Sequence, residues 1–390
     1  MPAYLDHAAS TAMRPEVADA MMPWLARHTA NPTGSHRAAR EARRAVDEAR
    51  EQLAAVLHVQ PDEIVFTSGG TESDNLAVAG ACEAFDPPTS TPVCSAIEHP
   101  AVLEPVRRRG GTTVGVDRRG RLDLDELARV LAERPADPLL GPTPLVSVMA
   151  VNNEVGTIQP VVEAASIVRE HAPGAMVHCD AIQALAWVDL TAVAASVDLM
   201  SLSGHKLGGP MGVGALTWRR GARMVAQQWG GGQERERRAG TPNVAGIVGL
   251  ALAAAMCHDE RAATVMRVGA QRDRLVDGLT AKIDGLVETG VDDGDRSHKV
   301  AANAHVCIAG VEAEALLFLL DRDGVAASAA SSCASGAQDP SHVLAAMGVD
   351  RALAGGSLRL SLGWNTTDDE IDDALEAIPH AVASLRSTGS

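Results

Sequence analysis

The sequence is poor in aromatic residues and has no excess of basic charge. Aromatic residues make up 2% of its 390 positions, so stacking platforms for single-stranded nucleic acid are scarce. The net charge is −16, which disfavours a general affinity for nucleic acid or for an anionic membrane. We therefore expect neither direct nucleic-acid binding nor membrane association.

Closely spaced cysteines and long apolar runs are also missing. The six cysteines, at positions 82, 94, 179, 257, 307 and 333, are never closer than 12 positions, so the sequence predicts no zinc, no other metal and no disulfide framework. The longest uncharged apolar run, residues 244–257, has 14 residues and indicates a buried helix, because it is too short to cross a bilayer. No basic segment followed by an apolar one opens the chain, so we expect no secretory signal and a cytoplasmic location.

Short apolar runs alternate with helical stretches between about residues 62 and 218. Strands are predicted at 64–67, 92–97, 145–151, 176–179, 198–203 and 212–218, with a helix over 161–171. Such apolar strands, separated by helices, indicate an α/β domain whose mainly parallel sheet is buried on both faces. Ligands in such sheets bind in the loops after the carboxyl ends of the strands.

The rest of the chain predicts a smaller α+β domain. A helical region over about 244–284 is followed by a polar loop over 287–299. Strands at 304–308, 324–327 and 358–362 then alternate with helices at 312–320, around 343 and from 368. We expect a large domain over residues 15–258 and a small domain formed by residues 1–14 and 259–390.

A lysine follows the strand predicted at 198–203. Lys206 stands in Ser-Gly-His-Lys-Leu-Gly-Gly-Pro, where the small residues let a ligand approach the backbone. Lysine forms Schiff bases with aldehydes, and desolvation makes its amine nucleophilic. Taken alone, the motif is also typical of a surface lysine in a glycine-rich turn.

A Gly-Gly turn follows the strand predicted at 64–67 and opens a helix. Free N–H groups at such a helix start favour a phosphate. The spacing of Thr71 and Asp74 predicts a helix cap. A capped helix without a ligand is the alternative. The sequence contains neither a P-loop nor GxGxxG, so a dinucleotide cofactor has no support.

Three more polar motifs follow apolar strands. Asp180 needs a positive partner, for which a protonated pyridine nitrogen is suited, and Gln183 can donate to a phenolate oxygen on the same ring. His99, in Glu-His-Pro, offers an imidazole for stacking or proton transfer. Residues 152–157 form a polar cluster. A capping aspartate and a structural histidine are the alternatives for the first two motifs.

The order of these motifs is more specific than any one of them. An anion-binding turn, a ring-facing histidine, an asparagine loop, an aspartate and a lysine occur at successive predicted strand ends. Together they describe a site for pyridoxal 5′-phosphate, in which the lysine holds the aldehyde and the aspartate keeps the ring nitrogen protonated.

The sequence resembles the cysteine desulfurases, which have the class V aminotransferase fold. The matching motifs lie at residues 4–11, 67–75, 98–102, 152–156, 203–206, 230–235, 240–242, 359–363 and 366–372. The resemblance implies the fold type I architecture of pyridoxal-phosphate enzymes: a large α/β domain with a mainly parallel seven-stranded sheet, and a smaller α+β domain.

The resemblance also implies site residues. Lys206 would bind the cofactor covalently, and His99 would stack on its ring and assist proton transfer. Asp180 would pair with the ring nitrogen and Gln183 with the ring oxygen. The residues implied for the phosphate are Gly70, Thr71, Ser203, His205 and, from the neighbouring subunit, Thr241. Asn152 would contact the cofactor and, together with Arg359, the substrate carboxylate. The Thr241 contact implies a homodimer with shared active sites.

Cys333 matches the family's catalytic cysteine. It lies among small residues that bury little, so we expect this segment to move. As a thiolate it would attack the sulfur of bound cysteine, leaving alanine and a persulfide. Ser332 departs from the family, which has a small apolar residue before the thiol. The other five cysteines stand in apolar or helical surroundings and are interpreted as core or surface residues.

The leading interpretation is a pyridoxal-phosphate-dependent cysteine desulfurase that converts L-cysteine to L-alanine and passes sulfur to an acceptor protein. A selenocysteine lyase or another class V enzyme is the nearest alternative, and an inactive scaffold for sulfur-transfer partners is an alternative of another class. The sequence leaves open whether the sulfur serves iron–sulfur assembly, tRNA or DNA thio-modification, or cofactor biosynthesis.

Overall fold

The computed structural model describes residues 3–85, 90–134, 142–329 and 341–388. The strands in these ranges are β1 (Ala3–Tyr4), β2 (Ile64–Thr67), β3 (Val93–Ser95), β4 (Thr112–Val114), β5 (Leu145–Ser147), β6 (Met176–Asp180), β7 (Leu199–Ser203), β8 (Gly214–Trp218), β9 (Leu286–Glu288), β10 (Asn303–Ile308), β11 (Val325–Ala326) and β12 (Ser357–Ser361). The α-helices are α1 (Pro15–Ala26), α2 (Arg37–Leu57), α3 (Gly70–Glu83), α4 (Pro100–Arg108), α5 (Leu124–Glu133), α6 (Val161–His171), α7 (Thr191–Ser196), α8 (Val244–Lys282), α9 (Ala313–Arg322), α10 (His342–Ala346), α11 (Arg351–Ala354) and α12 (Asp368–Thr388).

Seven strands form one sheet in the order β2–β8–β7–β6–β5–β3–β4. Strand β8 pairs antiparallel with β2 and β7, and all other neighbouring pairs are parallel. This confirms the predicted mainly parallel seven-stranded sheet. The carboxyl ends of β3, β5, β6 and β7 therefore share one edge of the sheet, where the predicted site residues begin.

Alternate residues of the central strands pack against helices on opposite faces. Val177 and Met200 belong to a hydrophobic cluster with α2, α6 and α8, whereas Met176 and Leu199 belong to a second cluster with α3 and α4. Since side chains alternate across a strand, burial on both faces requires the near-continuous apolar runs from which the strands were predicted.

A three-stranded antiparallel sheet, in the order β12–β10–β9, accompanies the parallel pair β1–β11. Backbone bridges join Asp6 to Ser361 and Ser328 to Arg359, so the first residues of the chain lie beside β12. A separate hydrophobic cluster, which includes Leu5, packs this sheet against α9, α12 and the second half of α8. The predicted domain boundary at 258/259 falls inside the continuous helix α8, and the division into domains stays a prediction.

Several predicted boundaries differ from the structure. The strand predicted at 145–151 ends at Ser147, although Val148 and Ala150 still donate backbone hydrogen bonds to residues of β6. The loop predicted at 287–299 begins inside β9. Strand β4 and helix α5 were not predicted, because three residues with one buried side chain give little signal for β4. Within the described residues, no helix combines the length and apolarity needed to span a membrane.

Candidate active site

A cavity of about 310 Å³ opens at the shared carboxyl edge of the large sheet. Its size is typical of small-molecule sites, which occupy about 300–1,000 Å³. The predicted site residues in its wall are Gly70, Thr71, His99, Asp180, Gln183, Ser203, His205, Lys206 and Arg359. The structure thus brings together nine residues that are as many as 289 positions apart in the sequence, from position 70 to position 359.

Lys206 ends the short turn that follows β7. The turn is tight: a Cβ added at Gly204 would lie 2.7 Å from the carbonyl oxygen of Pro210, so only glycine fits there. The Lys206 Nζ donates to the carbonyl oxygens of Ala8 and, at 2.7 Å, Ala9. Two backbone carbonyl oxygens therefore help to hold the amine at the cavity wall.

The chain contains few lysines, which limits the side-chain amines that can bind an aldehyde. The sequence has three lysines in all. Lys282 donates to the carbonyl oxygen of Leu375 at the exposed end of α8, and Lys299 is buried against Glu288 in the three-stranded sheet. Of the three, only Lys206 lines the cavity, so it alone is placed to react with a ligand there.

Asp180 is the last residue of β6 and is 4% exposed. Its Oδ1 accepts the N–H of Ile182 at 2.9 Å. Burial raises the pKa of Asp180 to about 6, while the Ile182 N–H and the charge of Lys206 act in the opposite direction. A carboxylate in this position is stabilised by a cationic group in the cavity.

A buried polar layer lies behind Asp180, and sequence reasoning missed it. The predicted cap of Thr71 and Asp74 is wrong: Gly69 precedes α3 as the cap residue, and Asp74 is fully buried. Burial and the charge of Asp180 raise the pKa of Asp74. His178 lies between the hydroxyls of Ser147 and Ser201, at 2.8 and 2.9 Å, and burial lowers its pKa to about 3.

Of the two aspartates, Asp180 lines the cavity and Asp74 does not. A buried carboxyl is costly to ionise, and Asp74 is fully buried with its Oδ1 3.6 Å from His178 Nε2. Burial therefore favours the neutral forms of Asp74 and His178. The residues are close in space because α3 packs on β6 and β7. An alternation of His178 and Asp180 along one strand was the available signal.

His99 caps α4 and faces the cavity. Its Nδ1 accepts the N–H of Ala101 at 3.1 Å, which leaves the proton of the neutral ring on Nε2. Burial, followed by the charge of Lys206, lowers the pKa of His99 to about 4. The imidazole is thus neutral at physiological pH. Its position depends on Pro100, which starts the helix at the residue after the cap.

The start of α3 forms an anion-binding corner. Gly69 has φ +151°, a conformation that favours glycine, and the amides of Gly70 and Thr71 begin the helix. A Cβ added at Gly70 would lie 2.2 Å from Ile182 Cδ1, so a side chain there would require Ile182 to move. Ser203 and His205 face it from β7 and the following turn. This donor set is suited to a phosphate.

Arg359 enters the cavity from the small antiparallel sheet. It lies in the middle of β12 and is 4% exposed. Its Nη1 donates to the carbonyl oxygen of Asn153 at 3.1 Å, and its Nη2 donates to Asp6 Oδ1 at 2.8 Å. The guanidinium is thereby fixed in the wall of the cavity that Lys206 also lines, where a substrate carboxylate is a matching ligand.

Asn152 does not line this cavity but lines an adjoining one together with Lys206 and Gln183, whereas Thr241 lines neither. The amide of Asn152 donates to the carbonyl oxygen of Ile97 and accepts the N–H groups of Glu154 and Val155, so its side chain shapes the loop. The neighbouring Asn153 lines the cavity instead. Thr241 lines a separate cavity of about 140 Å³. The roles implied for Asn152 and Thr241 stay predictions.

Cys333 and Ser332 lie outside the described residues. Of the other cysteines, Cys94, Cys179, Cys257 and Cys307 are buried, and Cys82 is partly buried. Burial raises the pKa of every one of these five thiols. None of the five lines this cavity. Cys257 lines the adjoining cavity, where its thiol donates to the carbonyl oxygen of Leu207 at 3.3 Å.

The fold and this site have known counterparts. The family model described as aminotransferase class-V matches residues 3–374, and the chain belongs to that family. A protein of Mycobacterium tuberculosis named IscS-like cysteine desulfurase is 44% identical over 98% of this chain and 97% of its own. A solved NifS-like protein has a TM-score of 0.88 at 34% identity, over 98% of this chain and 100% of that chain. DndA from Streptomyces lividans has a TM-score of 0.74 at 35% identity, over 92% and 99%.

Within the class V aminotransferases, the chain is a member of the cysteine desulfurases. Enzymes of this family depend on pyridoxal 5′-phosphate. The predicted family, fold class and cofactor are thereby confirmed. The cavity fits that cofactor chemically: it offers an amine for the aldehyde, an acid for the ring nitrogen and a donor-lined corner for the phosphate.

Proposed function

We propose that this enzyme is a cysteine desulfurase, which converts L-cysteine to L-alanine and keeps the sulfur as a persulfide on Cys333. The observation that carries the proposal is the single cavity in which Lys206, Asp180, His99 and Arg359 converge. The relatives named as cysteine desulfurases support it.

The cavity residues divide the binding of cofactor and substrate. Pyridoxal 5′-phosphate, when bound, supplies a ring that accepts electrons from the substrate α-carbon. We assign Lys206 to its aldehyde, Asp180 to its ring nitrogen, Gln183 to its ring oxygen and the start of α3 to its phosphate. Arg359 holds the substrate carboxylate. Because His99 is neutral, its Nδ1 occupied and its Nε2 protonated, it exchanges protons at Nε2.

The sulfur step balances without an added oxidant. The Cys333 thiolate forms a bond to the substrate sulfur while the substrate carbon–sulfur bond breaks. The electron pair of the broken bond stays with carbon, which takes up a proton and leaves as alanine. The enzyme retains a persulfide, and an acceptor protein or a thiol takes its outer sulfur.

The substitution Cys333→Ser tests the function. We expect the wild-type enzyme to form alanine and, with a thiol reductant, sulfide in equal amounts from L-cysteine. Cys333→Ser should bind the cofactor and cysteine but release no sulfide, whereas Cys82→Ser, which changes a thiol outside the cavity, should retain activity. Sustained sulfide release by Cys333→Ser would refute the assignment. Parallel assays with selenocysteine and with a keto acid test the alternative activities.

We further propose a homodimer in which Thr241 of one subunit completes the phosphate corner of the other. Neither Lys206→Ala nor Thr241→Asp should be active alone, since the second variant places a carboxylate beside the phosphate. Mixed and reassembled, the two should regain about a quarter of wild-type activity, because half of the dimers are hybrids with one intact site. No recovery would contradict shared sites.

The destination of the sulfur and the cellular location remain proposals from the sequence. We propose a cytoplasmic enzyme that passes sulfur to an acceptor protein, with iron–sulfur assembly as the first candidate, in keeping with the IscS-like name of a relative. Capture of a protein that receives labelled sulfur from the persulfide form tests this proposal; transfer only to small thiols would contradict it.

A further inference from the structure

Helix α10 begins at a residue that bonds to both its own helix and the cavity loops. Ser341 is the N-cap of α10, and its Oγ accepts the N–H groups of Val343 at 3.1 Å and Leu344 at 3.3 Å. Ser341 is 6% exposed. In the sequence it follows Cys333 by eight positions, so α10 is the first described element after the proposed nucleophile.

The Ser341 hydroxyl can donate one hydrogen bond, and the acceptor of that hydrogen bond is the Glu154 side chain. The hydroxyl donates to Glu154 Oε2. Since the Ser341 oxygen already accepts two N–H groups, the direction of this hydrogen bond is settled. Glu154 is 5% exposed and lies two positions after Asn152, whose Oδ1 accepts its N–H at 2.9 Å.

A second contact ties α10 to the histidine loop. The Nε2 of His342 lies 3.0 Å from the carbonyl oxygen of Glu98, the residue before His99. Val343 and Leu344 of the same helix pack in a hydrophobic cluster that also contains residues next to both loops. The N terminus of α10 is thus fixed to the loop that carries His99 and to the loop that carries Asn152.

The surroundings of Glu154 make the contact with Ser341 specific. Burial raises the pKa of Glu154 to about 7, while the Ser341 hydrogen bond and the charge of Arg359 act to lower it. A buried carboxyl needs such donors. The backbone carbonyl oxygen of Glu154 accepts the side-chain N–H of Asn303 at 2.9 Å. Glu154 therefore joins α10, the asparagine loop and β10.

We propose that Glu154 is a positioning residue for sulfur transfer: through the Ser341 hydroxyl it fixes the start of α10, the helix that follows the Cys333 segment, to the loops of the cofactor cavity. This inference rests on the proposed function. Glu154 touches neither substrate nor cofactor in it, so its loss should slow persulfide formation and leave cysteine binding unchanged.

The experiment compares Glu154→Ala and Ser341→Ala with the conservative variants Glu154→Gln and Ser341→Thr, which keep an acceptor and a hydroxyl. Asp350→Ala is the matched control, because it removes the N-cap of the adjacent helix α11 without touching either loop. The rate of persulfide formation is measured in a single turnover of the cofactor-loaded enzyme. The dissociation constant of cysteine is measured from the change in cofactor absorbance.

We expect each alanine variant to lose about tenfold in the single-turnover rate, the usual cost of one hydrogen bond to a charged group. The dissociation constant of cysteine should stay within about twofold. The double alanine variant should be no slower than Ser341→Ala, since that variant already removes the contact between Ser341 and Glu154. The Gln and Thr variants should keep most of the rate. Unchanged rates in both alanine variants, or losses that multiply in the double variant, would overturn the proposal.

Hydrogen exchange of the cofactor-free protein gives a readout that does not depend on activity. Glu154→Ala should speed exchange at the amides of Val343 and Leu344, although it leaves both capping bonds to Ser341 in place. If these amides of Glu154→Ala exchange at wild-type rates, Glu154 does not fix the start of α10, and the proposal is wrong. A wild-type enzyme without sulfide release would instead refute the proposed function, whatever the exchange data show.

Discussion

The two sheets contribute to the cavity in different ways. The large sheet presents groups at or just after strand ends, where Asp180 closes β6 and Lys206 follows β7. The small sheet presents Arg359 from the middle of a strand, fixed by Asp6 and by a backbone carbonyl. The first arrangement places reactive groups in loops that a ligand can reach, whereas the second places a rigid, always charged clamp.

This difference predicts that the two sheets control different kinetic parameters. Groups of the large sheet should govern the chemical step, and Arg359 should govern substrate binding. The substitutions below test that separation, beginning with the largest expected effect.

Lys206→Ala should remove the chemical contribution of the large sheet. We expect the turnover number to fall on the order of 10³–10⁶-fold, as when a nucleophile is removed from other enzymes. Neither Lys282 nor Lys299 lines the cavity, so neither can replace Lys206. The loss of the yellow colour of the purified protein and steady-state assays with L-cysteine check this. Near-normal turnover of Lys206→Ala would contradict the prediction that groups of the large sheet govern the chemical step.

Arg359→Lys should instead raise the KM for cysteine by about 10- to 100-fold, because an ammonium cannot reproduce the planar, two-pronged contact with a carboxylate. Turnover at saturating cysteine should fall much less. Asp6→Asn is a milder companion, since it weakens the ion pair that holds the guanidinium. A fall in turnover with unchanged KM would place Arg359 in the chemical step and contradict the comparison.

Asp180 adds a pH dependence to the large-sheet edge. Its pKa in the folded protein is about 6, above the ordinary 3.8, so the folded state binds the proton more tightly than the unfolded state. In the cofactor-free protein, stability relative to Asp180→Asn should therefore fall as pH rises from about 4 to about 6, by up to about 3 kcal/mol. Denaturant unfolding at several pH values measures this. If the free energies of unfolding of the wild type and of Asp180→Asn change in parallel with pH, the raised pKa of Asp180 is contradicted.

The smallest effect is expected at a buried thiol. Cys257→Ala removes a weak donor to the carbonyl oxygen of Leu207 and should cost about 1 kcal/mol of stability, with activity within twofold of wild type. Burial raises the pKa of this thiol to about 11. Thermal unfolding and sulfide assays check the prediction. A large loss of activity would show that a described cysteine takes part in the reaction.

The comparison of the two sheets also explains which site residues could be predicted from the sequence. Asp180, Lys206 and His99 were found because each directly follows an apolar run, and the carboxyl ends of parallel strands share an edge. Arg359 came only from the resemblance, because a charged residue inside an apolar strand has no local pattern that points to a ligand. The strand pairing around β12 brings it to the cavity.

Tertiary packing decided what the sequence could not foretell. The spacing of Thr71 and Asp74 matched a helix cap, but α3 starts one residue before Thr71 and turns Asp74 onto the sheet beside His178. Likewise, the side-chain amide of Asn152 closes its own loop, and its implied contact with cofactor and substrate stays a prediction. Neither outcome follows from local spacing, because both depend on which face of an element meets its neighbour.

Peptide mapping after borohydride reduction tests the account most directly. The protein is loaded with pyridoxal 5′-phosphate, reduced and digested, and the mass of a pyridoxyl group is located among the peptides of its three lysines. We predict stoichiometric label on Lys206 alone. Label on Lys282 or Lys299, or no stable label on any lysine, would contradict the account.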